Sequence, residues 1–254
     1  MSRRDRLLYY IEKKGEATTN ELQEIIGDCS KMTIWRDLKA LEDQGCIRRV
    51  HGGAVLVKEQ EKPLIGSYSD REEINPQGKR LIAEEAKTFV TAGKSLYFDA
   101  GTTIMAVVKA LEPGVYTIIT PSAVTALAMS KFTDSIVIGL GGQLNPTTLT
   151  FTGSYTEHFL EMISIDTAFI SAPGFSEDGF SMSSVNEISI KQTAIRKANR
   201  VVMLMDSTKA GTVCPFSFAE WRDIDYLITD KPLPEKYMAV AKRYKVKVIV
   251  ADKP

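Results

Sequence analysis

The stretch SKMTIWRDLKALEDQGCIRRVHGGAV, residues 30–55, decides how the first part of the chain folds. Its apolar residues recur at i, i+4 and i+7, which is the buried stripe of a helix. This stripe consists of Ile34, Leu38 and Leu41. At about 100° per residue, Arg36 and Lys39 point the opposite way. Such a helix suits DNA recognition in a major groove, although a solvated face on a small helical bundle would give the same pattern.

The residues after this helix favour a two-stranded wing. One β-prone run covers Cys46–Val50 and another covers Ala54–Val57, with His51-Gly52-Gly53 between them. Gly-Gly between β-prone runs is a strong hairpin signal. Basic side chains around such a turn can reach phosphate groups or the minor groove. A hairpin at this place predicts a winged helix-turn-helix.

Two shorter helices are expected before the recognition helix. The first has its apolar residues on one face and ends near Gly15, which suits a C-cap. Thr18 and Glu21 have the spacing of a capping box at the start of the second, which ends at Gly27. Ser30 is a good N-cap for the third helix. Three helices and a hairpin complete a small DNA-binding domain.

The rest of the chain predicts an α/β domain. Short β-rich runs alternate with helical patterns, and several runs are apolar throughout, as in a parallel sheet covered on both faces. We expect strands at Leu96–Asp99, Tyr116–Thr120, Ile136–Leu140, Thr167–Ala172, Val201–Asp206, Tyr226–Thr229 and Val246–Val250. The expected organisation is a winged helix-turn-helix at 1–58, a polar linker at 59–75 and an α/β domain at 76–254, which opens with a helix from Pro76 to Val90.

Composition excludes several classes of protein. Lys plus Arg and Asp plus Glu both number 32, and residues 1–58 hold 11 basic and 9 acidic residues. This balance excludes coating of nucleic acid by bulk charge but allows a local basic face. The three cysteines lack the spacing of a disulfide framework or a zinc site. No apolar run approaches the roughly 18 residues of a membrane span, and the start lacks a signal peptide. We therefore expect a cytoplasmic protein with no metal, no cofactor and no membrane partner.

Polar and charged residues follow several predicted strands, where open α/β sheets bind ligands. DAGTT, residues 99–103, ends one strand and opens a helix, whose free N–H groups attract anions. Asp206 and Lys209 follow a later strand, and the lysine supplies a cation. Glu187 and Lys191 lie i, i+4 on a predicted helix. An ordinary turn, a solvated loop lysine and a simple surface ion pair are the alternatives at these three places.

Residues 30–55 resemble the winged helix of DeoR-type regulators, whose usual run is close to S-x-M-T-I-R-R-D-L, then L-x-x-x-G, then R-V-H-G-G-A. Trp35 stands where that family usually has Arg. Trp can contact a thymine methyl or pack on sugar, but it cannot fork onto guanine. The helix face and the resemblance together assign DNA contacts to Ser30, Lys31, Met32, Thr33, Trp35, Arg36, Lys39, Arg48, Arg49 and His51.

The α/β part resembles DeoR-type C-terminal sensor domains. The shared motifs are DAGTT, a T-x-S strand end at 120–122, LGG at 140–142, AFISAPG at 168–174 and DSTKAG at 206–211. Such domains are similar in fold to ribose-5-phosphate isomerase and glucosamine-6-phosphate deaminase, and typically sense a phosphorylated sugar or related metabolite. The resemblance implies a pocket lined by Asp99, Gly101, Thr102, Thr103, Ser122, Gly142, Glu187, Asp206 and Lys209. Pro121 replaces the Asn of the family's usual T-N-S.

The resemblance implies a sequence-specific regulator that binds double-stranded operator DNA, most simply a repressor of a carbohydrate operon controlled by a phosphorylated sugar. Symmetric operators are usually read by dimers, so we expect a homo-oligomer, either a dimer or a tetramer. Two alternatives stay open. One is a phosphosugar isomerase that uses Asp99, Glu187 and Lys209 for proton transfer, and the other is a DNA-binding protein whose second domain only oligomerises. A recognition helix and a wing have no use in an isomerase, so we expect no enzymatic activity.

Overall fold

The computed structural model of the protein describes residues 3–27, 29–43, 46–50, 52–56 and 68–251. The chain divides into two compact units, Met1–Gly66 and Ser67–Pro254. Four expected features lie outside the described residues: the helix end at Gly45, the turn residue His51, the strand end at Val57 and residues 59–67 of the linker.

The described part of the first unit contains three helices and a three-stranded sheet. In chain order, the elements are α1 (Arg3–Lys14), β1 (Glu16–Thr18), α2 (Thr19–Ile26), α3 (Lys31–Asp43), β2 (Ile47–Val50) and β3 (Gly53–Leu56). Leu7, Leu22 and Ile34 meet in one core, as their periodicity predicted. The capping box is present, since the Thr18 hydroxyl accepts from the N–H of Glu21 at 3.3 Å and the Thr18 N–H donates to the Glu21 carboxylate at 2.8 Å.

The sheet of the first unit includes a strand that the sequence pattern did not predict. β1 pairs antiparallel with β3, whose other edge pairs with β2. Gly53 pairs with Thr18 and lies so close to β1 that an added Cβ would be 2.3 Å from the Ala17 carbonyl oxygen. Only glycine fits at this crossing. The hairpin is thus joined through β1 to the end of α1.

A parallel sheet forms the centre of the second unit. In chain order, the elements of this unit are α4 (Tyr68–Glu73), α5 (Pro76–Ala86), β4 (Ser95–Phe98), α6 (Thr102–Ala110), β5 (Thr117–Thr120), α7 (Ala123–Met129), β6 (Ile136–Gly139), β7 (Gln143–Asn145), β8 (Thr150–Thr152), α8 (Ser154–Glu161), β9 (Thr167–Ile170), β10 (Gly174–Ser176), β11 (Gly179–Met182), α9 (Ile188–Lys197), β12 (Val201–Leu204), β13 (Phe216–Ala219), β14 (Tyr226–Thr229), α10 (Glu235–Tyr244) and β15 (Lys247–Val250). The central sheet has the order β15-β14-β12-β9-β4-β5-β6 within the described residues. All its neighbouring strands run parallel.

The predicted strands are those of this central sheet, with ends that differ by at most two residues. Helices cover both of its faces. Leu96 and Phe98 of β4 belong to the core beneath α5 and α6, whereas Tyr97 between them belongs to the core beneath α8, α9 and α10. Successive strand side chains point to opposite faces. Because both faces are buried, the strands are apolar throughout, which confirms the expected α/β architecture.

Part of the expected linker belongs to the second unit. Residues 68–73 form α4, which packs against α6, and the hydroxyl of Thr102 donates to the Arg71 carbonyl at 3.3 Å. The helix predicted from Pro76 begins there, but it ends at Ala86 and continues only as a 3₁₀ turn to Phe89.

Candidate DNA-binding surface and effector site

Helix α3 has a buried face and an exposed face, as its periodicity predicted. Leu38 is 1% exposed, whereas Trp35 is 51% exposed and Met32 is 66% exposed. The exposed face also carries Lys31, Arg36 and Lys39. At the start of the helix, the Ser30 hydroxyl accepts from the N–H of Thr33 at 3.3 Å. Cationic, hydroxyl and apolar groups thus share one surface, which is the chemistry that contact with phosphates and bases requires.

Asp37 lies on α3 but points away from this surface. Its carboxylate is buried and accepts from Nε of Arg3 at 2.5 Å and from Nε of Arg4 at 3.2 Å. The bond from Arg3, with the weaker one from Arg4, holds the pKa of Asp37 below its ordinary value. These ion pairs join α1 to α3. Arg36, by contrast, has no ion pair within the described ranges.

The two arginines of the wing have different surroundings. Arg48 is exposed. Arg49 donates its backbone N–H to Oε1 of Glu42 at 2.8 Å and its Nε to Oε2 of Glu42 at 2.6 Å. Its guanidinium carbon lies 4.5 Å from the centroid of the Trp35 ring. The backbone and side-chain bonds from Arg49 lower the pKa of Glu42. The third basic wing residue of the prediction, His51, is outside the described residues.

The effector residues predicted after strands lie at the carboxyl edge of the central sheet. Asp99 follows β4, Ser122 follows β5 and Asp206 follows β12. β4 and β9 are neighbours, and successive strands are added outward from them in opposite directions, β5 and β6 beside β4 and then β12, β14 and β15 beside β9. Ligands of open α/β sheets bind at such a topological switch point.

A buried ion pair occupies this edge. Nζ of Lys191 donates to the carboxylate of Asp99 and, at 2.9 Å, to the carbonyl oxygen of Ser171. The N–H of Ser171 donates to the same carboxylate at 3.1 Å. Glu187 is also buried, and its carboxylate accepts from the hydroxyl of Thr148 at 2.9 Å. The alternative of a simple Glu187–Lys191 surface pair is therefore wrong, because both residues are interior and Lys191 bonds elsewhere.

Asp206 and Lys209 form a second pair. Nζ of Lys209 lies 3.6 Å from Oδ2 of Asp206 and donates to the hydroxyl of Thr103, at the start of α6, at 3.4 Å. The Lys209 side chain is 20% exposed, so it is not a solvated loop lysine. Burial lowers the pKa of Lys209, and Asp206 offsets part of this effect.

Two cations that the sequence interpretation did not include lie near these residues. Nε and Nη2 of Arg71, on α4, are buried and have no hydrogen-bond partner in the described part of the chain. The ammonium of Lys79 donates to the Arg71 carbonyl. Burial lowers the pKa of both Arg71 and Lys79. The charge of Glu187 offsets part of this effect at Arg71, whereas the charge of Lys209 lowers the pKa of Lys79 further. We use the name charged cluster for Arg71, Lys79, Asp99, Glu187, Lys191, Asp206 and Lys209.

The other predicted effector residues have local structural roles. Gly101 and Gly142 have φ angles of 132° and 113°, which favour glycine. Ser122 caps α7 through its hydroxyl, and Thr102 bonds to α4. Among the described residues, neither Ser122 nor Gly142 has a hydrogen bond to the charged cluster. The structure thus brings the charged residues together with Thr103, and leaves Ser122 and Gly142 outside that group.

Both units match known domains. The profile of the DeoR-like helix-turn-helix domain matches residues 3–60, and that of the DeoR C terminal sensor domain matches residues 74–231. The chain belongs to the DeoR family. This DeoR-family chain is 34% identical to the HTH-type transcriptional regulator GolR of Listeria innocua, over 91% of each chain. It is 30% identical to the HTH-type transcriptional repressor GlcR of Bacillus subtilis, over 97% of this chain and 94% of that one.

The lactose phosphotransferase system repressor of Staphylococcus epidermidis is 31% identical to this DeoR-family chain, over 92% of this chain and 93% of that one. A ribose 5-phosphate isomerase A from Methanocaldococcus jannaschii aligns with a TM-score of 0.40 and 17% identity, over 54% of this chain and 55% of that one.

Membership of the DeoR family makes the protein a DNA-binding transcriptional regulator, as the recognition helix and wing predicted. In the part of this DeoR-family chain that the structure describes, no helix has the length and apolarity to span a membrane. Over the same residues, no three His, Cys, Asp or Glu side chains are placed to hold a metal ion.

Proposed function

We propose that this regulator represses genes of carbohydrate metabolism, and that a phosphorylated sugar binding at the charged cluster changes its affinity for the operator. The names of two relatives support the first part, since one is a repressor and another is a repressor of a lactose phosphotransferase system. The observation that carries the second part is the pair of buried cations, Arg71 and Lys209, near the N-terminus of α6.

The unpartnered cation of the charged cluster favours an anionic ligand. Lys191 and Lys209 each pair with an aspartate, whereas Nε and Nη2 of Arg71 have no hydrogen-bond partner among the described residues. The first N–H groups of α6 add a further attraction for an anion. A buried donor without a partner is costly, so an anion that accepts from Nε and Nη2 of Arg71 would stabilise this arrangement. A phosphate group can accept from a guanidinium in a two-pronged geometry and from Lys209 at the same time.

A binding role fits the charged cluster better than proton transfer. An isomerase needs a carboxylate that is available to take a proton from its substrate. The Asp99 carboxylate already accepts bonds from Lys191 and from the N–H of Ser171, and the Glu187 carboxylate accepts a bond from the hydroxyl of Thr148. We therefore propose that the protein has no enzymatic activity. We further propose that it works in the cytoplasm as a homo-oligomer, a dimer or a tetramer, since symmetric operators are read by symmetric proteins.

The test measures melting temperature and affinity for DNA from upstream of the protein's own gene, in the presence of a panel of sugar phosphates and of the same sugars without phosphate. We expect at least one phosphorylated sugar, but not its free sugar, to raise the melting temperature and to change the affinity for DNA. An effector must bind the two states with different affinity to shift the equilibrium between them. A panel without any effect would favour a second domain that only oligomerises, and turnover of a sugar phosphate would favour the isomerase.

A second test repeats the effector titration with the variant Lys209→Met. The matched control is Lys242→Met, on the exposed side of α10. A charge-assisted hydrogen bond contributes ~1.5–3 kcal/mol. We therefore expect Lys209→Met to raise the apparent dissociation constant of the effector at least ~tenfold, while affinity for DNA without effector stays at the wild-type value. If wild type and Lys209→Met respond at the same half-maximal effector concentration, Lys209 is not a phosphate ligand.

A further inference from the structure

The ring of Trp35 packs against an arginine of the wing. The guanidinium of Arg49 covers its ring at 4.5 Å, within the range of a cation–π contact. Arg49 is fixed in turn by Glu42, which accepts from both its backbone N–H and its Nε. Glu42 lies on α3 two turns after Trp35. Arg49 of the wing therefore contacts two residues of the recognition helix, Trp35 and Glu42. These contacts limit the rotation of the indole.

The ring of Trp35 is still half exposed, on the same side of α3 as Arg36 and Lys39. Arg49 covers one face of the ring. The exposed part of the ring is therefore an apolar surface that is already positioned before DNA binds. In the major groove, the only apolar group on a base edge is the C5-methyl of thymine. The indole has a single donor, so it cannot form the two-pronged bond that selects guanine.

We propose that Trp35 reads the methyl group of one thymine in each operator half-site, and that Arg49 positions the indole through its contacts with Trp35 and Glu42 rather than binding phosphate. This inference rests on DNA binding by the winged helix and is independent of the effector. Arg49 has its Nε committed to Glu42 and its guanidinium over the ring, whereas Arg48 on the same strand is exposed. Of the two wing arginines, Arg48 is therefore the one assigned to phosphate contact.

The experiment first selects the operator from a random duplex library with the full-length protein. Each thymine of the selected half-site is then replaced by deoxyuridine, which lacks only the C5-methyl. Burying one methyl-sized group is equivalent to about a fourfold change in affinity. We expect a loss of about this size at one thymine per half-site and no loss at the others. A wild-type protein that binds every deoxyuridine operator as tightly as the thymine operator would overturn the proposal.

Two substitutions assign the effect to Trp35. Trp35→Ala should bind thymine and deoxyuridine operators equally, because its side chain ends at Cβ and does not extend as far as the indole. Trp35→Arg restores the residue usual in the family, and should move the preference at that position from thymine to guanine. Trp35 is not part of the core of the first unit, so both variants should stay folded, and a melting curve of each variant checks this before the DNA affinities are compared. A thymine preference that persists in both variants would show that another residue reads the methyl.

Arg49→Met separates positioning from phosphate contact. If Arg49 positions the indole, Arg49→Met should reduce discrimination between thymine and deoxyuridine, and the slope of log affinity against log salt should not change. If Arg49 binds phosphate, that slope should become shallower by about one, which would overturn its role as a positioning residue. Glu42→Gln, which removes the charge that holds Arg49, should reduce discrimination in the same direction.

Discussion

Lys191 donates to Asp99 across 92 residues of sequence, and the two side chains are only 5% and 2% exposed. Asp99 follows β4, an interior strand of the central sheet, and Lys191 lies on α9. Removing two charges from water is costly, and the cost is offset only while each charge keeps its partner. The pair therefore fixes the geometry of the carboxyl edge but leaves it sensitive to the loss of either residue.

Substitution of Lys191 should destabilise the second unit strongly. Lys191→Met leaves the Asp99 carboxylate buried, and its one remaining donor among the described residues is the N–H of Ser171. Breaking a buried pair in this way costs about 3–5 kcal/mol. The free energy of unfolding, measured in urea, gives this loss directly. The double variant Asp99→Asn with Lys191→Met should recover much of it, because no buried charge is left. A single variant as stable as wild type would contradict this prediction.

Arg36 should contribute to recognition of the operator and not to folding. It is exposed on α3, opposite the buried Ile34 and Leu38. Arg36→Ala should lose ~1–3 kcal/mol of discrimination between the operator and altered operators, while the melting temperature stays unchanged. Competition binding against single-base operator variants measures the discrimination, and Lys242→Ala in the second unit is the control. Equal discrimination by Arg36→Ala and wild type would show that Arg36 does not read a base edge.

Arg48 should set the dependence of DNA binding on salt. It is the exposed arginine of β2, and a phosphate contact releases counterions without reading sequence. Arg48→Ala should weaken binding to all operators about equally and reduce the salt slope by about one. Affinities measured across a salt series, for Arg48→Ala and wild type side by side, give both quantities. A slope identical to that of wild type would mean that Arg48 does not contact phosphate.

Glu21 should make the stability of the first unit depend on acid pH. The ammonium of Lys14, followed by the N–H and hydroxyl of Thr18, lowers the pKa of Glu21 to about 2. An unfolded chain has a glutamate pKa of about 4.3. The ionised group therefore stabilises the fold fully above that value, and the contribution is lost as the pH falls towards about 2.

A carboxyl titration followed by NMR tests the shift at Glu21, and thermal unfolding between pH 2 and 5 tests its effect on stability. Glu21→Gln should flatten the pH dependence in this window, because the residue no longer ionises. Lys14→Met should raise the pKa of Glu21 towards its ordinary value, because the largest cause of the shift is removed. An ordinary pKa in the wild-type protein would rule out this account.

The main elements were predictable because they are long or buried on both faces. The core stripe of α3 and the apolar runs of the central sheet have a clear period or a continuous apolar character, and both predictions are confirmed. The strands of the β7–β8 hairpin and of the β10–β11–β13 sheet are about as short as those of the central sheet, but polar residues such as Gln143, Ser181 and Ser217 interrupt their apolar character. Three or four residues are too few to show a period of two, so without a continuous apolar run their pairing depends on tertiary contacts.

The candidate effector site was predictable only at the strand ends. Asp99, Asp206 and Lys209 were identified because charged residues after parallel strands meet at one edge. The bond from Lys191 to Asp99 joins residues far apart in sequence, so no local spacing indicates it. Arg71 lies in a polar segment that predicted a linker, and only the packing of α4 against α6 shows that it is part of the second unit. The role of these residues in binding an effector stays a prediction.

The pairing of β1 with β3 has a consequence for the time scale of motion in the wing. β3 is hydrogen-bonded on both sides, while β2 forms an outer edge. Amide protons of β3 should exchange with solvent only when the first unit opens as a whole. On β2, the N–H of Arg49 is bonded to Glu42 of α3, so local fraying should expose the other outward-facing amides of β2 first. The wing thus combines an inner strand that moves with the helical core and an outer strand that is attached to that core at Arg49 and carries the exposed Arg48.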